Sequence, residues 1–173
     1  MISMSEQTFL IQPVGYLKSP FSEEDPGFAK SFEDPVQRKN ELKVRQKKIR
    51  DTICTIHILP QYEPLLDGIS SFSHILVIFW PHLLQETDRH KKRVHPRGWK
   101  DLPQQGIFAT RSPARPNPVL ITTAELIRQE GCFLSIRGLD VFNNTSVIDI
   151  KPVITSPEPL KGFRVPDWIR QSH

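Results

Sequence analysis

Glycine is scarce in this 173-residue chain: there are eight, and no two are spaced Gly-x-Gly. That excludes a Rossmann-type turn and a P-loop, both of which need glycines to let the backbone approach a phosphate at the start of a helix. Any nucleotide-like ligand must be held another way. Cysteine is scarcer still. Cys54 and Cys132 lie in apolar stretches without Cys-x-x-Cys or Cys/His spacing. Neither a zinc site nor a disulfide framework is supported, and no metal is expected. There is no serine-hydrolase elbow, and His90 and His95 are five apart, off the spacing of a helical metal-binding pair. No apolar run reaches the length of a membrane span, and the amino terminus is not charged-then-apolar. Both features argue against insertion and secretion and leave the cytoplasm as the expected location.

Proline is abundant. Sixteen residues make about 9% of the chain, against roughly 5% on average, and disfavour long helices. The length is that of one domain able to bury its own core. The net charge of +4 is modest but unevenly spread. Residues 38–50 carry seven basic side chains and one acid, and residues 89–100 carry six basic side chains plus His90 and His95. Such clusters fit contact with nucleic-acid phosphates, and they equally fit solvated surface faces.

Residues 1–8 show no periodic pattern and are expected to fray. Residues 9–18 are dense enough in β-branched and aromatic side chains for a strand, interrupted by Pro13 and Gly15. Residues 19–35 read as an irregular loop, and residues 40–50 as either a short basic helix or a polar connection. Further strands are expected at 52–59, 74–80, 106–110, 119–129, 132–139 and 147–150, with a helical turn in 62–71 and turns at Glu130-Gly131 and Asn143-Asn144. No helices alternate with these strands, so the expectation is an all-β, mainly antiparallel sheet or barrel with short helices and long loops rather than a doubly wound fold.

The densest chemistry lies in Gly106-Ile107-Phe108-Ala109-Thr110-Arg111-Ser112-Pro113-Ala114-Arg115-Pro116-Asn117-Pro118. Three prolines stiffen a loop that offers two arginines, an amide and hydroxyls, more donors than a structural turn needs. Arg111 and Arg115 suit carboxylate or phosphate recognition and not proton transfer. Asp149 and Lys151 project from one face of a strand, where they either pair with each other or serve a ligand; Asp140 is similarly open. Phe72-Ser73-His74 precedes the apolar run and Trp80-Pro81-His82 follows it, positions where a histidine is more often a structural donor than a catalyst.

Four segments in order, Val14-Gly15-Tyr16-Leu17-Lys18-Ser19-Pro20-Phe21, Gly68-Ile69-Ser70-Ser71-Phe72-Ser73-His74-Ile75, Gly106 to Pro118, and Leu139 followed by Val147-Ile148-Asp149-Ile150-Lys151-Pro152, resemble the TsaA-like or TrmO family of S-adenosylmethionine-dependent tRNA methyltransferases. The resemblance spans most of the chain. It departs from the family pattern at Val119-Leu120-Ile121, after the proline-arginine motif, and at Val153.

The resemblance implies a small β-barrel over residues 9–155 with an extension at 156–173, a homodimer with the cofactor site near the subunit interface, and methyl transfer to N6 of threonylcarbamoyl-adenosine beside the tRNA anticodon. Phe108, Ala109, Arg111, Ser112, Arg115, Asn117 and Pro118 are then expected to hold S-adenosyl-L-methionine. Arg93, His95, Arg97 and Lys151 are expected to meet the tRNA, with Asp149 first and His74 second as proton acceptor. The alternatives are a methyltransferase of the same architecture acting on a small molecule or another RNA, and a non-catalytic cofactor-binding module.

Overall fold

The computed structural model describes residues 8–22, 34–154 and 164–171. Its elements run β1 (Gly15–Lys18), α1 (Pro35–Asp51), β2 (Ile53–Ile58), β3 (His74–Trp80), β4 (Arg93–Val94), β5 (Gln105–Gly106), β6 (Leu120–Glu130), β7 (Phe133–Arg137), β8 (Thr145–Pro152) and α2 (Asp167–Gln171). Six strands close into a barrel in the order β1-β2-β7-β6-β3-β8, with every neighbouring pair antiparallel, while β4 and β5 form a separate ribbon.

The alternation of side chains along each strand builds the interior. Leu17, Cys54, Ile56, Ile58, Ile75, Val77, Phe79, Ala124, Leu126, Leu134, Ile136 and Val147 point inward and are almost completely buried. The register shifts between Ile78 and Phe79, where β3 meets β8, and between Leu126 and Arg128, where β6 meets β7. Such irregularities bend a strand and let a short sheet curl into closure. Burial pushes the Cys54 thiol above its ordinary range, so it packs as a small apolar group.

Antiparallel closure also sorts the connections. One rim receives residues 19–22 and α1 from the β1–β2 connection, residues 81–119, which include the proline-arginine loop, and the short link 138–144. The opposite rim receives residues 8–14, 59–73 and the turn at Gly131, whose φ is +55°. At the first rim the chain is stitched by Asn143 N–H to Phe21 O (3.1 Å), Asn144 N–H to Leu17 O (2.7 Å) and Ser19 N–H to Asn143 Oδ1 (3.2 Å), with Asn144 at φ +64°. Asparagine tolerates that left-handed turn better than most residues.

Several sequence expectations are corrected here. The strand expected over 9–18 starts only at Gly15, because Pro13 has no N–H to give a ladder. The strand expected over 106–110 is instead a 3-10 turn, Ile107–Ala109, in which Thr110 N–H reaches back to Ile107 O (3.2 Å) and Ile107 alone is buried. The ambiguous basic stretch is a 17-residue helix despite the proline load, because Pro35 sits at its first turn, where no donor is lost. Asp34 caps that helix by accepting from Val36 and Gln37 N–H, and the Thr52 hydroxyl closes it by donating to Lys48 O (2.6 Å). Residues 1–7 of the expected frayed end, 23–33 of the expected loop, 155 of the expected barrel and 156–163 and 172–173 of the expected extension lie outside the described residues.

Among the described side chains of α1, Leu42, Arg45 and Ile49 are half-buried. Arg45 donates to Asp140 Oδ2 (2.8 Å), and Lys48 Nζ lies 5.2 Å from the centre of the buried Phe21 ring. Desolvation raises the Asp140 carboxyl above the ordinary carboxylate range, and the Arg45 charge opposes the shift.

Gly15 lies on β1 where the strand meets β2. A Cβ there would run into the carbonyl oxygen of His57 and stand 3.0 Å from Ile58 Cα. Gly15→Ala is expected to cost about 1–3 kcal/mol of stability, since this site is backbone and cannot yield. An unchanged denaturation midpoint would contradict so close an approach.

Candidate functional site

The rim that carries α1 also carries the whole proline-arginine loop, and one side chain ties that loop to the barrel. Arg89, in the 3-10 turn Glu86–His90, donates through Nε (3.1 Å) and Nη2 (2.8 Å) to the carbonyl of Pro116 and through Nη1 to Glu86 Oε2 (2.7 Å). Its guanidinium centre lies 5.6 Å from the centre of the Trp80 ring at the end of β3. A planar fork that bonds sideways while stacking on an indole is available to arginine and not to lysine.

The loop is otherwise held by its own groups. Thr110 Oγ1 accepts from Ser112 N–H (3.3 Å), Ser112 Oγ accepts from Ala114 N–H (3.2 Å), and Arg115 N–H reaches Pro113 O (2.7 Å). Arg115 turns inward and donates from Nε to Ser112 O (2.8 Å) and from Nη2 to Thr110 O (2.6 Å). Ala114 and Pro118 are buried as its footing. Arg111 is different: it is exposed and makes no hydrogen bond or ion pair among the described residues. Asn117 is also exposed, and its backbone carbonyl accepts from Val119 N–H (2.8 Å).

Between the Glu86–Lys92 segment and the Gly106–Ala109 turn lies an open cleft of about 650 Å³, with Pro116 at its edge. This is the size range of small-ligand sites. Phe108 stands beside it 81% exposed, although the same turn buries its neighbour Ile107. Basic groups of Arg89, His90, Lys91 and Lys92 face the cleft, with Glu86 as the acid among them.

Of the residues expected to meet nucleic acid, Arg93 donates to Gln104 O (2.9 Å), and Arg97, at φ +57°, lies 5.5 Å from the Trp99 ring centre. His95 Nδ1 donates to Leu102 O (2.8 Å), because a carbonyl can only accept, so its Nε2 is left as an acceptor. These three belong to the long connection on the site's rim. Lys151 is elsewhere, on the outer wall of β8, where it pairs with Asp149 Oδ2 at 2.6 Å. Asp149 Oδ1 also accepts from Ile150 N–H (2.8 Å), and Asp149 sits opposite Ile78 of β3. His74 begins β3 at the opposite rim, with Nδ1 3.0 Å from Ser73 Oγ. The single chain carries Phe108, Ala109, Arg111, Ser112, Arg115, Asn117 and Pro118 on one loop, of which Phe108 and Ala109 line the cleft. It leaves His74 six residues along β3 from Trp80.

Two residues carry more than the sequence suggested. Arg89 looked like one member of a basic cluster, and only the fold shows it reaching residue 116. His82 is exposed with Nδ1 3.3 Å from Thr145 Oγ1. The threonine hydroxyl gives its proton to Phe142 O (2.8 Å), so His82 Nδ1 donates and its Nε2 is left as an acceptor. The described residues contain no group of three or more His, Cys, Asp or Glu able to hold a metal ion, and no helix long and apolar enough to cross a membrane.

Residues 31–157 match the tRNA-methyltransferase O N-terminal domain family. The chain belongs to that family. It is 38% identical over 160 residues to a "Probable S-adenosyl-L-methionine-binding protein" of Methanothermobacter thermautotrophicus, covering 92% of this chain and all of that one. It is 33% identical over 155 residues to the rat "tRNA (adenine(37)-N6)-methyltransferase", covering 88% of this chain and 33% of that enzyme. Among solved structures it is similar to one described as "Crystal structure of TrmO", with a TM-score of 0.65, 26% identity and coverage of 92% of this chain. The chain spans 64% of that structure, so it corresponds to a part of the longer protein. The closed antiparallel barrel is the architecture expected from the family resemblance.

Arg89→Lys keeps the charge but loses the fork. Amide exchange at residues 110–118 is expected to quicken by about tenfold while the barrel strands stay protected, since charge-assisted bonds of this kind contribute about 1.5–3 kcal/mol. Unchanged exchange in the loop would show that Arg89 does not hold it.

Proposed function

We propose that this chain is an S-adenosylmethionine-dependent tRNA methyltransferase whose acceptor is N6 of threonylcarbamoyl-adenosine at position 37, beside the anticodon. The observation that carries this reading, given the family, is the open cleft lined by the bare aromatic face of Phe108, with the exposed guanidinium of Arg111 three residues further along the same loop. The residues fit the cofactor. Phe108 offers a stacking face for an adenine, the backbone of 106–109 lines the cleft, and Arg111 offers a fork for a carboxylate. Arg115 acts behind them, holding the loop in the shape that presents Arg111, and Asn117 offers an amide for an adenine edge.

When bound, S-adenosylmethionine supplies an electrophilic methyl group on a sulfonium that leaves as a neutral thioether. The protein's task is to hold the acceptor nitrogen in line with that carbon and to take up the proton released from N6 as the new N–C bond forms. Asp149 is the proposed acceptor of that proton. It lies opposite Ile78, two residues from Trp80, whereas His74 starts at the far rim and is the second candidate. Arg93, His95 and Arg97 form the approach for the tRNA backbone, and Lys151 holds the Asp149 carboxylate.

The working unit in this reading is a cytoplasmic homodimer. Its support is the outer wall of β3 and β6, where Ile121 is 52% exposed beside the half-buried Leu76 and Ile78. Ile121→Glu is expected to shift sedimentation from dimer to monomer, and a wild-type chain that sediments as a monomer at all concentrations would remove the dimer.

Calorimetric titration with S-adenosylmethionine, followed by methyl incorporation into bulk tRNA from cells lacking such an enzyme, tests the reaction. Arg111→Ala is expected to weaken cofactor binding by tenfold or more. Asp149→Asn is expected to bind cofactor normally and lose about a hundredfold in methyl transfer, in line with loss of a general base. Full turnover in either variant would refute its assigned role, and cofactor binding without incorporation would move the acceptor away from tRNA.

A further inference from the structure

Helix α1 is poorly explained by packing. It runs 17 residues, yet none of its described side chains is fully buried, and Val36 and Val44 stand 69% and 65% exposed. Among its described side chains the inward side carries Leu42, Arg45 and Ile49, and an ion pair from Arg45 to Asp140 anchors it. On the opposite side Lys43, Lys47 and Arg50 follow one another at i, i+4 and i+7 and are all exposed. That spacing sets them along the helix at rises of about 6 Å and about 10.5 Å. None of the three has a hydrogen bond or ion pair among the described residues. Like charges one turn apart repel, so the stripe weakens the free helix, and a polyanion laid along it would turn that repulsion into attraction.

We propose that the outward stripe of α1, Lys43, Lys47 and Arg50, is a docking surface for the phosphate backbone of the RNA substrate, separate from the cleft. The inference rests on the tRNA reading above. Two observations support an RNA occupant. The helix springs from the same barrel rim as the proline-arginine loop, so an RNA presenting a base to the cleft extends over that rim. The stripe is cationic, and Val36, the exposed apolar side chain in line with it seven residues before Lys43, is too small to make the inserted Trp, Phe or Leu face that membrane binding requires. Contacts of this kind position a nucleic acid without reading its sequence.

The test is the full-length chain carrying Lys43→Gln, Lys47→Gln and Arg50→Gln. Glutamine keeps helix propensity and removes only the charge. Affinity for bulk tRNA is measured across a salt series alongside calorimetric titration with S-adenosylmethionine. The expected result is tRNA binding weaker by tenfold or more in low salt, with the slope of log affinity against log salt shallower by about 2–3, and cofactor affinity and thermal midpoint unchanged. Equal tRNA affinity and slope in variant and wild type would overturn the docking surface while leaving the methyltransferase reading in place. A wild-type chain that binds cofactor but no tRNA would overturn both. Binding of the wild type to phosphatidylserine vesicles in preference to tRNA, lost in the variant, would also overturn it and assign the stripe to a membrane surface.

Discussion

Closing six antiparallel strands into a ring is the constraint from which the rest of this molecule follows. An antiparallel ring leaves no unpaired edge among these six strands, and it alternates strand direction, so chain segments leave and return at fixed rims. With the order β1-β2-β7-β6-β3-β8, the three connections that carry α1, the proline-arginine loop and the Leu139–Asn144 link are forced to a single rim. The barrel interior is filled by closely packed Ile, Leu, Val and Phe side chains, and the cleft lies outside it, on the loops. The chemistry is therefore built outside the barrel, on loops whose ends a rigid wall fixes in place.

That arrangement places its demands on the loops themselves. A long connection with little secondary structure loses much entropy on ordering unless it is bonded to the wall and to itself. Arg89 supplies the bond to the wall through Trp80, and Arg115 supplies the internal bonds. With those two guanidiniums occupied, Arg111 is the one left open in the loop. Three arginines within 27 residues thus hold three different positions in one construction: strut, rivet and open hand.

How much of this was legible beforehand depends on whether the deciding contact is local. The strand at His74–Trp80 was plain because a seven-residue apolar run needs no distant partner to explain it, and β6, β7 and β8 were placed within a few residues of their true ends. The strand expected over 106–110 holds only at Gly106, in β5: the apolar letters of 107–109 are the same in a strand or a turn, and the choice falls to a short-range bond from Thr110 to Ile107. The helix at Pro35–Asp51 was ambiguous because its pattern has almost no apolar face to read, a consequence of its lying outside the core. The proline-arginine segment folds as one self-bonded loop, but in the sequence its two arginines look equivalent. Direction, inward for Arg115 and outward for Arg111, is a property of the folded loop and not of the spacing.

The inward turn of Arg115 also bears on how the sequence is free to drift. A guanidinium that reaches two carbonyls of its own loop, Thr110 and Ser112, from different nitrogens is a brace. Lysine, with a single ammonium on a flexible stem, can reach one carbonyl but cannot span both in a fixed plane. Position 115 is thus tied to arginine by the loop's own geometry, whatever ligand the loop serves. Position 111 is answerable only to the molecule it meets. A change in the ligand that this loop meets would therefore be open to residue 111 and closed to residue 115.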